Sequence, residues 1–136
     1  MGRIMALDYG MVRTGIAVTD ELKLIASGLT AVETNKLFTF LKEYLGKEVV
    51  DCIVVGEPKQ MDGSESESET LIKPFINKLK KTFPDISIER QDERFTSKMA
   101  LDTMIAGGMK KKKRQDKAMV DKVSATLILQ AYLDRV

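Results

Sequence analysis

The sequence predicts an α/β protein whose mixed five-stranded sheet is flanked by helices on both faces. Three observations support this class. Short apolar runs typical of strands fill the first third of the chain, a helical spacing of apolar residues begins only after Thr34, and strand and helix patterns then alternate to the C-terminus. The predicted order is βββαβαβαα, and we expect residues 1–136 to form a single domain.

The first third of the chain is predicted to form three strands. Residues 3–8 and 15–18 are apolar runs on either side of a turn, where Gly10 can supply the positive φ that a hairpin turn needs. A third strand is expected between Lys23 and Val32, and Gly28 within it is typical of a bulge. The first two strands would form a hairpin.

Helices and strands are predicted to alternate in the rest of the chain. A helical stripe covers residues 37–45, and Gly46 is placed to end that helix. The β-branched run 49–56 is typical of a strand that is buried on both faces. The remaining predicted elements are a helix over 71–83, a strand over 86–90, a helix capped by Thr96 or Ser97, and a last helix over about 115–134.

Composition narrows the possible chemistry and location. The chain has 22 basic and 20 acidic residues, and this net charge of +2 excludes an acidic tail protein and a histone-like polycation. Because histidine is absent, any reaction must use carboxylates, amines, hydroxyls or a bound metal. Cys52 is the single cysteine, and neither a signal peptide nor a membrane span is visible. We therefore expect a cytoplasmic protein with no membrane partner.

Three carboxylates are predicted to meet at one edge of the sheet. Asp8 ends the first strand, and the triplet Asp92-Glu93-Arg94, in which one acid could bind a metal, ends the strand that starts at Ile86. Ligands of open α/β sheets bind at the carboxyl ends of such strands. Asp121 opens a helix face that is otherwise apolar and should pack on the sheet. A carboxylate on a buried face is costly unless it is paired or bound to a metal.

Each acid also has an ordinary structural interpretation. Asp8 would serve as a turn residue, the acids of the triplet would lie in a solvated junction before a helix, and Asp121 would pair with a lysine of the basic loop. Taken together, however, three clustered carboxylates repel one another unless divalent cations hold them. Two-metal hydrolysis of phosphodiesters needs such a cluster and requires no histidine.

Basic residues near this edge are expected to contact nucleic acid. The run from Lys110 to Arg114 precedes Asp121, and Arg94 has the planar guanidinium that suits phosphate. Charge runs are usually solvated loops, which is the alternative interpretation. The predicted nucleic-acid contacts are Arg13, Arg94, Lys110, Lys111, Lys112, Lys113 and Arg114.

Five motifs lie in order along almost the whole chain. They are Leu7-Asp8-Tyr9-Gly10, Arg13-Thr14-Gly15-Ile16-Ala17-Val18, Val54-Val55-Gly56-Glu57-Pro58 with Met61-Asp62-Gly63-Ser64, Asp92-Glu93-Arg94-Phe95-Thr96-Ser97, and Asp121-Lys122-Val123-Ser124-Ala125. In these motifs the chain resembles the bacterial YqgF family, also called RuvX. It departs from the family at Glu57, where an apolar residue is usual, and at Ser124, which replaces the first alanine of an Ala-Ala pair.

The resemblance implies an RNase H-like fold and a nuclease activity. The expected reaction is maturation of the 5′ end of pre-16S ribosomal RNA, resolution of Holliday junctions, or both. Asp8, Glu93 and Asp121 are the implied catalytic acids and ligands of Mg²⁺ or Mn²⁺. The sequence leaves open whether DNA junctions or precursor RNA are the substrate, and whether the protein is a monomer or a homodimer.

Two other functions fit parts of the sequence. The hairpin with Asp8 and Gly15 is similar to the phosphate-binding hairpin of actin-like ATPases, but those proteins need two such lobes and this chain has the length of one. A non-catalytic RNA-binding factor for ribosome assembly would need only the basic loop. The presence of all three acids favours the nuclease.

Overall fold

The computed structural model describes residues 2–58, 67–93 and 117–136. The strands in these ranges are β1 (Arg3–Tyr9), β2 (Arg13–Thr19), β3 (Ala26–Glu33), β4 (Val50–Glu57) and β5 (Ser87–Asp92). The helices are α1 (Leu37–Lys47), α2 (Glu69–Thr82) and α3 (Lys117–Arg135), and a 3₁₀ turn, Thr34–Lys36, precedes α1. The helix predicted to begin at Thr96 or Ser97 lies outside the described residues.

The five strands form one mixed sheet in the order β3-β2-β1-β4-β5. β1 pairs antiparallel with β2 and parallel with β4, while β5 continues the parallel half beside β4. The carboxyl ends of β1, β4 and β5 therefore meet at one edge of the sheet. The predicted mixed five-stranded α/β architecture is confirmed.

The third strand begins later than predicted. It starts at Ala26 rather than Lys23, because Lys23 has a φ of 60° and belongs to the preceding loop. The carboxylate of Asp20 accepts hydrogen bonds from the amides of Leu24 and Ile25, both at 2.9 Å. This side chain holds the loop out of the sheet, a local competition that hydrophobic alternation does not reveal.

Three glycines had predicted roles. Gly28 does mark a bulge, since the register of β3 against β2 slips beside it. Gly10, in contrast, lacks a positive φ; glycine is needed there because a Cβ would lie 2.5 Å from the carbonyl oxygen of Arg13. Gly46 does not end α1, which continues to Lys47.

The two faces of the sheet carry different cores. The face under α1 and α2 holds the larger side chains, and the face under α3 is built largely from small ones. The buried residues of the first core are Met5, Leu7, Ile16, Val18, Leu37, Leu41, Val50, Ile53, Val55, Ile72, Phe75, Ile76 and Leu79. Those of the second core are Ile4, Ala6, Ala17, Val54, Ala125, Ile128 and Leu129.

Successive side chains of a strand point to opposite faces, so Asp8 follows Ile4 and Ala6 onto the α3 face. Helices on both faces were predicted, and this arrangement is confirmed. None of the helices in the described ranges combines the length and the apolar composition that a membrane crossing requires.

Candidate active site

Asp8 and Asp121 are brought together by a glycine. In the antiparallel register of β1 and β2, Asp8 lies opposite Gly15. A Cβ at Gly15 would overlap the main-chain carbonyl oxygen of Asp121. Only glycine therefore lets α3 approach the sheet closely enough to place Asp121 beside Asp8.

The carboxyl group of Asp8 lies in a setting that disfavours its charge. Burial and, to a smaller extent, the neighbouring charge of Asp121 together raise its pKa from 3.8 to about 6. Both effects oppose ionisation unless a cation is close. Asp8 therefore has the properties of a group that needs a positive partner.

Glu93 is positioned by the end of the parallel sheet. Its main-chain amide donates a hydrogen bond of 3.1 Å to the carbonyl oxygen of Glu57, extending the pairing of β4 with β5 by one residue. A Cβ at Gly56 would overlap Oε2 of Glu93. Gly56 thus leaves the space that the Glu93 carboxylate occupies.

The Glu93 carboxylate is the most perturbed acid of this edge. Its Oε2 atom is buried and has no hydrogen-bond partner among the described residues. Burial, reinforced by the charge of Asp8 and opposed by Arg90, raises the pKa of Glu93 from 4.5 to about 8. A buried oxygen without a donor is expensive, and such groups concentrate at functional sites.

Asp121 is paired with a residue of β2. Its Oδ2 atom accepts a hydrogen bond of 3.0 Å from Nε of Arg13, while the basic loop whose lysines were the alternative partners lies outside the described residues. Arg13 was predicted to contact nucleic acid, and here it neutralises one of the three acids. The pair is partly exposed, with 33% and 25% of the Arg13 and Asp121 side chains accessible.

Asp8 lies near both other acids, since the charges of Asp121 and Glu93 each interact with it. Within residues 2–58, 67–93 and 117–136, no three acidic or cysteine side chains surround one point as a metal site would. Repulsion between the carboxylates and the pairing of Asp121 with Arg13 both keep the three acids from converging on one point.

Arg90 forms a network at this edge that the sequence did not predict. Its two terminal nitrogens bind both oxygens of Glu69 at 2.9 and 2.7 Å, and Glu69 is only 2% exposed. The guanidinium also donates to the carbonyl oxygens of Val55 at 3.2 Å and Gly56 at 3.1 Å. Glu57, the unusual acid of its motif, lies 4.0 Å from Arg90.

This network ties the start of α2 to the ends of β4 and β5. No local sequence signal predicts it, because Glu57, Glu69 and Arg90 lie in three different elements. The Arg94 side chain and the run from Lys110 to Arg114 lie outside the described residues. Ser124 and Ala125 are both buried where α3 packs on the sheet, as expected for the helix face that contains Asp121.

A sequence profile described as RuvX, Holliday junction resolvase, matches residues 2–135. The chain belongs to the RuvX family. Two RuvX relatives, each carrying the name "Putative pre-16S rRNA nuclease", come from Christiangramia forsetii, 59% identical over 133 residues, and Flavobacterium psychrophilum, 56% identical over 135 residues. These matches cover 98% and 99% of this chain, and 98% of each relative.

The fold of this RuvX chain is similar to that of RuvC from Thermus thermophilus. A structure of that protein in complex with a Holliday junction substrate superimposes with a TM-score of 0.57 at 16% identity, covering 98% of this chain and 94% of the other. The RNase H-like fold and the RuvX membership predicted from the sequence are confirmed. The activity that the family assignment gives this chain is that of a nuclease.

Proposed function

We propose that this RuvX chain hydrolyses phosphodiester bonds by a two-metal mechanism at the edge formed by Asp8, Glu93 and Asp121. The observation that carries the proposal is the Oε2 atom of Glu93, which is buried without a hydrogen-bond partner in the described residues and lies close enough to Asp8 for the charge of Asp8 to disfavour that of Glu93. A divalent cation would remove both penalties.

The chemistry of the side chains fits such a cation. All three are carboxylates, and hard divalent ions such as Mg²⁺ and Mn²⁺ prefer oxygen ligands. Asp8 and Glu93 would form the core of the site, while Asp121 would join it by exchanging the Arg13 guanidinium for metal. The exchange is local, because the Arg13–Asp121 pair is partly exposed and close to Asp8.

The residues of the chain then have distinct tasks. When bound, the ions would activate a water molecule and stabilise the leaving oxygen. Asp8 and Glu93 supply fixed negative charge from the ends of two strands, so the positions of their carboxylates are set by the sheet. Arg13, once released from Asp121, would bind a neighbouring phosphate, as would Arg94 and the basic residues 110–114.

The proposed substrate is the precursor of 16S ribosomal RNA, cleaved during maturation of its 5′ end. Its support is the shared name of relatives that match almost the full chain at more than half identity. Holliday junctions are the second candidate, because the family description names a resolvase. The cytoplasmic location and the choice between monomer and homodimer stay predictions from the sequence.

A cleavage assay tests this function. Purified protein would be incubated with precursor 16S RNA and, separately, with a four-way DNA junction, each with Mg²⁺, with Mn²⁺ and with chelator. We expect metal-dependent cleavage of the RNA. Asp8→Asn should lower it by more than the ~10–100-fold typical of residues that merely support metal ligands, whereas Asp85→Asn, in an exposed loop at the other end of the sheet, should cleave like the wild type.

Three results would each change the proposal. Cleavage that survives chelation would remove the metal mechanism, and wild-type turnover by Asp8→Asn would remove this site. Tight RNA binding without any cleavage would instead support the non-catalytic ribosome-assembly factor.

A further inference from the structure

The last carbonyl oxygens of β4 are held by residues of β5. The guanidinium of Arg90 donates hydrogen bonds to the carbonyl oxygens of Val55, at 3.2 Å, and of Gly56, at 3.1 Å. The main-chain amide of Glu93 donates to the next carbonyl oxygen along the strand, that of Glu57, at 3.1 Å. Arg90 therefore fixes the main chain of β4 directly before the point at which Glu93 joins it.

Arg90 and Glu93 lie on opposite faces of the sheet and are linked through Gly56. Alternate residues of a strand share a face, so Arg90 follows Ile88 onto the α2 face. A Cβ at Gly56 would meet Oε2 of Glu93 and Cδ1 of Ile128, which places the Glu93 carboxylate on the α3 face. The carbonyl oxygen of Gly56 is thus bonded by Arg90, while its missing side chain makes room for Glu93. A displaced Gly56 would change the space that the carboxylate occupies.

Glu69 holds the guanidinium of Arg90 in the orientation that these bonds need. Both oxygens of Glu69 accept hydrogen bonds from the terminal nitrogens of Arg90, and such a bidentate pair fixes the plane of the guanidinium. Neutralising Glu69 requires only a positive charge. The four bonds to Glu69, Val55 and Gly56, however, use all three nitrogens of Arg90, which the single nitrogen of a lysine cannot reproduce.

We propose that Arg90 is a positioning residue for Glu93. It holds the end of β4 so that Gly56 leaves the carboxylate its space, and Glu69 in turn holds Arg90. Because Arg90 acts from the other face of the sheet, it has this effect without contacting metal or substrate. The inference rests on the proposed location of the catalytic site at Glu93. Partners that orient a metal ligand typically change metal affinity or activity by ~10–100-fold.

Two variants separate the hydrogen bonds of Arg90 from its charge. Arg90→Lys keeps a positive charge beside Glu69 but loses the fork of donors. Arg90→Leu with Glu69→Leu removes both charges, and an apolar pair can replace a buried ion pair without loss of stability. The matched control is Leu79→Ala, which loosens the buried side of the same helix about 15 Å along its axis from Glu69.

Hydrogen exchange of the main-chain amides, measured by NMR in chelator, is the first readout. It reports local opening of a strand and requires neither metal nor cleavage. In both Arg90 variants, the Glu93 amide should accelerate about tenfold more than amides in the middle of β4 and β5, because two hydrogen bonds that hold the strand end are lost. In Leu79→Ala, the mid-strand amides should accelerate at least as much as the Glu93 amide.

Cleavage of precursor 16S RNA with Mg²⁺ is the second readout. Both Arg90 variants should lower kcat by ~10–100-fold and leave KM almost unchanged, because the altered bonds position a metal ligand and do not bind the substrate. Leu79→Ala should keep the kcat of the wild type at temperatures where it is folded.

Several results would overturn the inference. They include a Glu93 amide that is unprotected in the wild type, equal acceleration of all amides of β4 and β5, and wild-type behaviour of Arg90→Lys, which would show that charge alone suffices. Faster exchange with unchanged kcat would also overturn it, because the bonds would then hold the strand but not the carboxylate. Since exchange is measured without metal, a wild type that fails to cleave RNA contradicts the proposed function and leaves the exchange result standing.

Discussion

The two faces of the sheet solve the problem of buried charge in opposite ways. On the α2 face, Glu69 is almost fully buried, and Arg90 satisfies both of its oxygens. On the α3 face, Glu93 has a buried oxygen with no partner in the described residues, and Asp8 is close enough to disfavour its charge. The α2 face therefore carries a buried ion pair whose oxygens are all bonded, whereas the α3 face carries two neighbouring carboxylates, one of which has a buried oxygen without a partner in the described residues.

The packing of side chains also differs between the α2 face and the α3 face. Large side chains fill the α2 face, where Tyr9 stacks on Phe75 with ring centres 4.2 Å apart. On the α3 face, Gly15 and Gly56 leave the room that Asp121 and Glu93 occupy. The first face therefore stabilises the fold, while the second gives up stability to hold acids close together.

The strongest test of this comparison removes the completed pair. Arg90→Leu leaves Glu69 buried without a partner, which should cost about 3 to 5 kcal/mol in the free energy of unfolding. The double variant Arg90→Leu with Glu69→Leu should recover most of that loss, since an apolar pair can replace a buried ion pair. Denaturant unfolding measures both. A cost below ~1 kcal/mol for the single variant would mean that the pair does not stabilise this face.

The acids of the α3 face should make the stability of the metal-free protein fall as pH rises, whereas an ordinary paired carboxylate makes it rise. Folding raises the pKa of Glu93 from 4.5 to about 8 and that of Asp8 from 3.8 to about 6. The folded state therefore binds these protons more tightly, and the stability they provide is lost as pH rises through these ranges. Metal-free protein should become less stable from about pH 4 to pH 8 on their account.

Glu93→Gln should remove much of that loss, on the order of a few kcal/mol at pH 8 and almost nothing at pH 4. Asp20 offers a control of opposite sign, because hydrogen bonds from the amides of Ile25 and Leu24 lower its pKa. Asp20→Asn should reduce stability at neutral pH and not in acid. Thermal melts in chelator across this range give the comparison; parallel curves for Glu93→Gln and the wild type would contradict it.

Close packing of α3 should be broken by a single methyl group. Gly15→Ala places a Cβ against the carbonyl oxygen of Asp121, so the helix must shift, at a cost of about 1 to 3 kcal/mol. Gly46→Ala is the control, because nothing lies within 4 Å of that Cβ and alanine favours a helix by up to ~1 kcal/mol. If Gly15→Ala kept wild-type stability and cleavage, the close approach of α3 would not position Asp121.

The smallest effect is expected for Asp121 in the absence of metal. Asp121→Asn loses a partly exposed pair with Arg13 but also relieves repulsion with Asp8, so the net change should stay within ~1 kcal/mol. Mg²⁺ should then raise the melting temperature of the wild type more than that of the variant, because only ligand bound to the folded state stabilises it. Equal shifts would exclude Asp121 from the metal site.

Periodicity and motifs along the chain were enough to predict the class of fold, the family and the positions of the three acids along the elements. Hydrophobic periodicity is a local property, so it located β1, β4 and the apolar face of α3 well. The roles predicted for Gly10 and Gly46 were wrong, because turn geometry and helix ends depend on neighbouring main-chain atoms.

The partners of the acids, in contrast, could not be predicted from the chain, because they depend on tertiary contacts. Arg13 and Asp121 are 108 residues apart in the chain, and Arg90 and Glu69 are 21 apart. Nothing in local spacing links such pairs; the sheet order and the approach of α3 at Gly15 bring the first together, and the packing of α2 against β5 brings the second. The burial that raises the pKa of Glu93 likewise arises only when β5 and α3 close around its carboxylate, because desolvation is a property of the assembled neighbours and not of the residue.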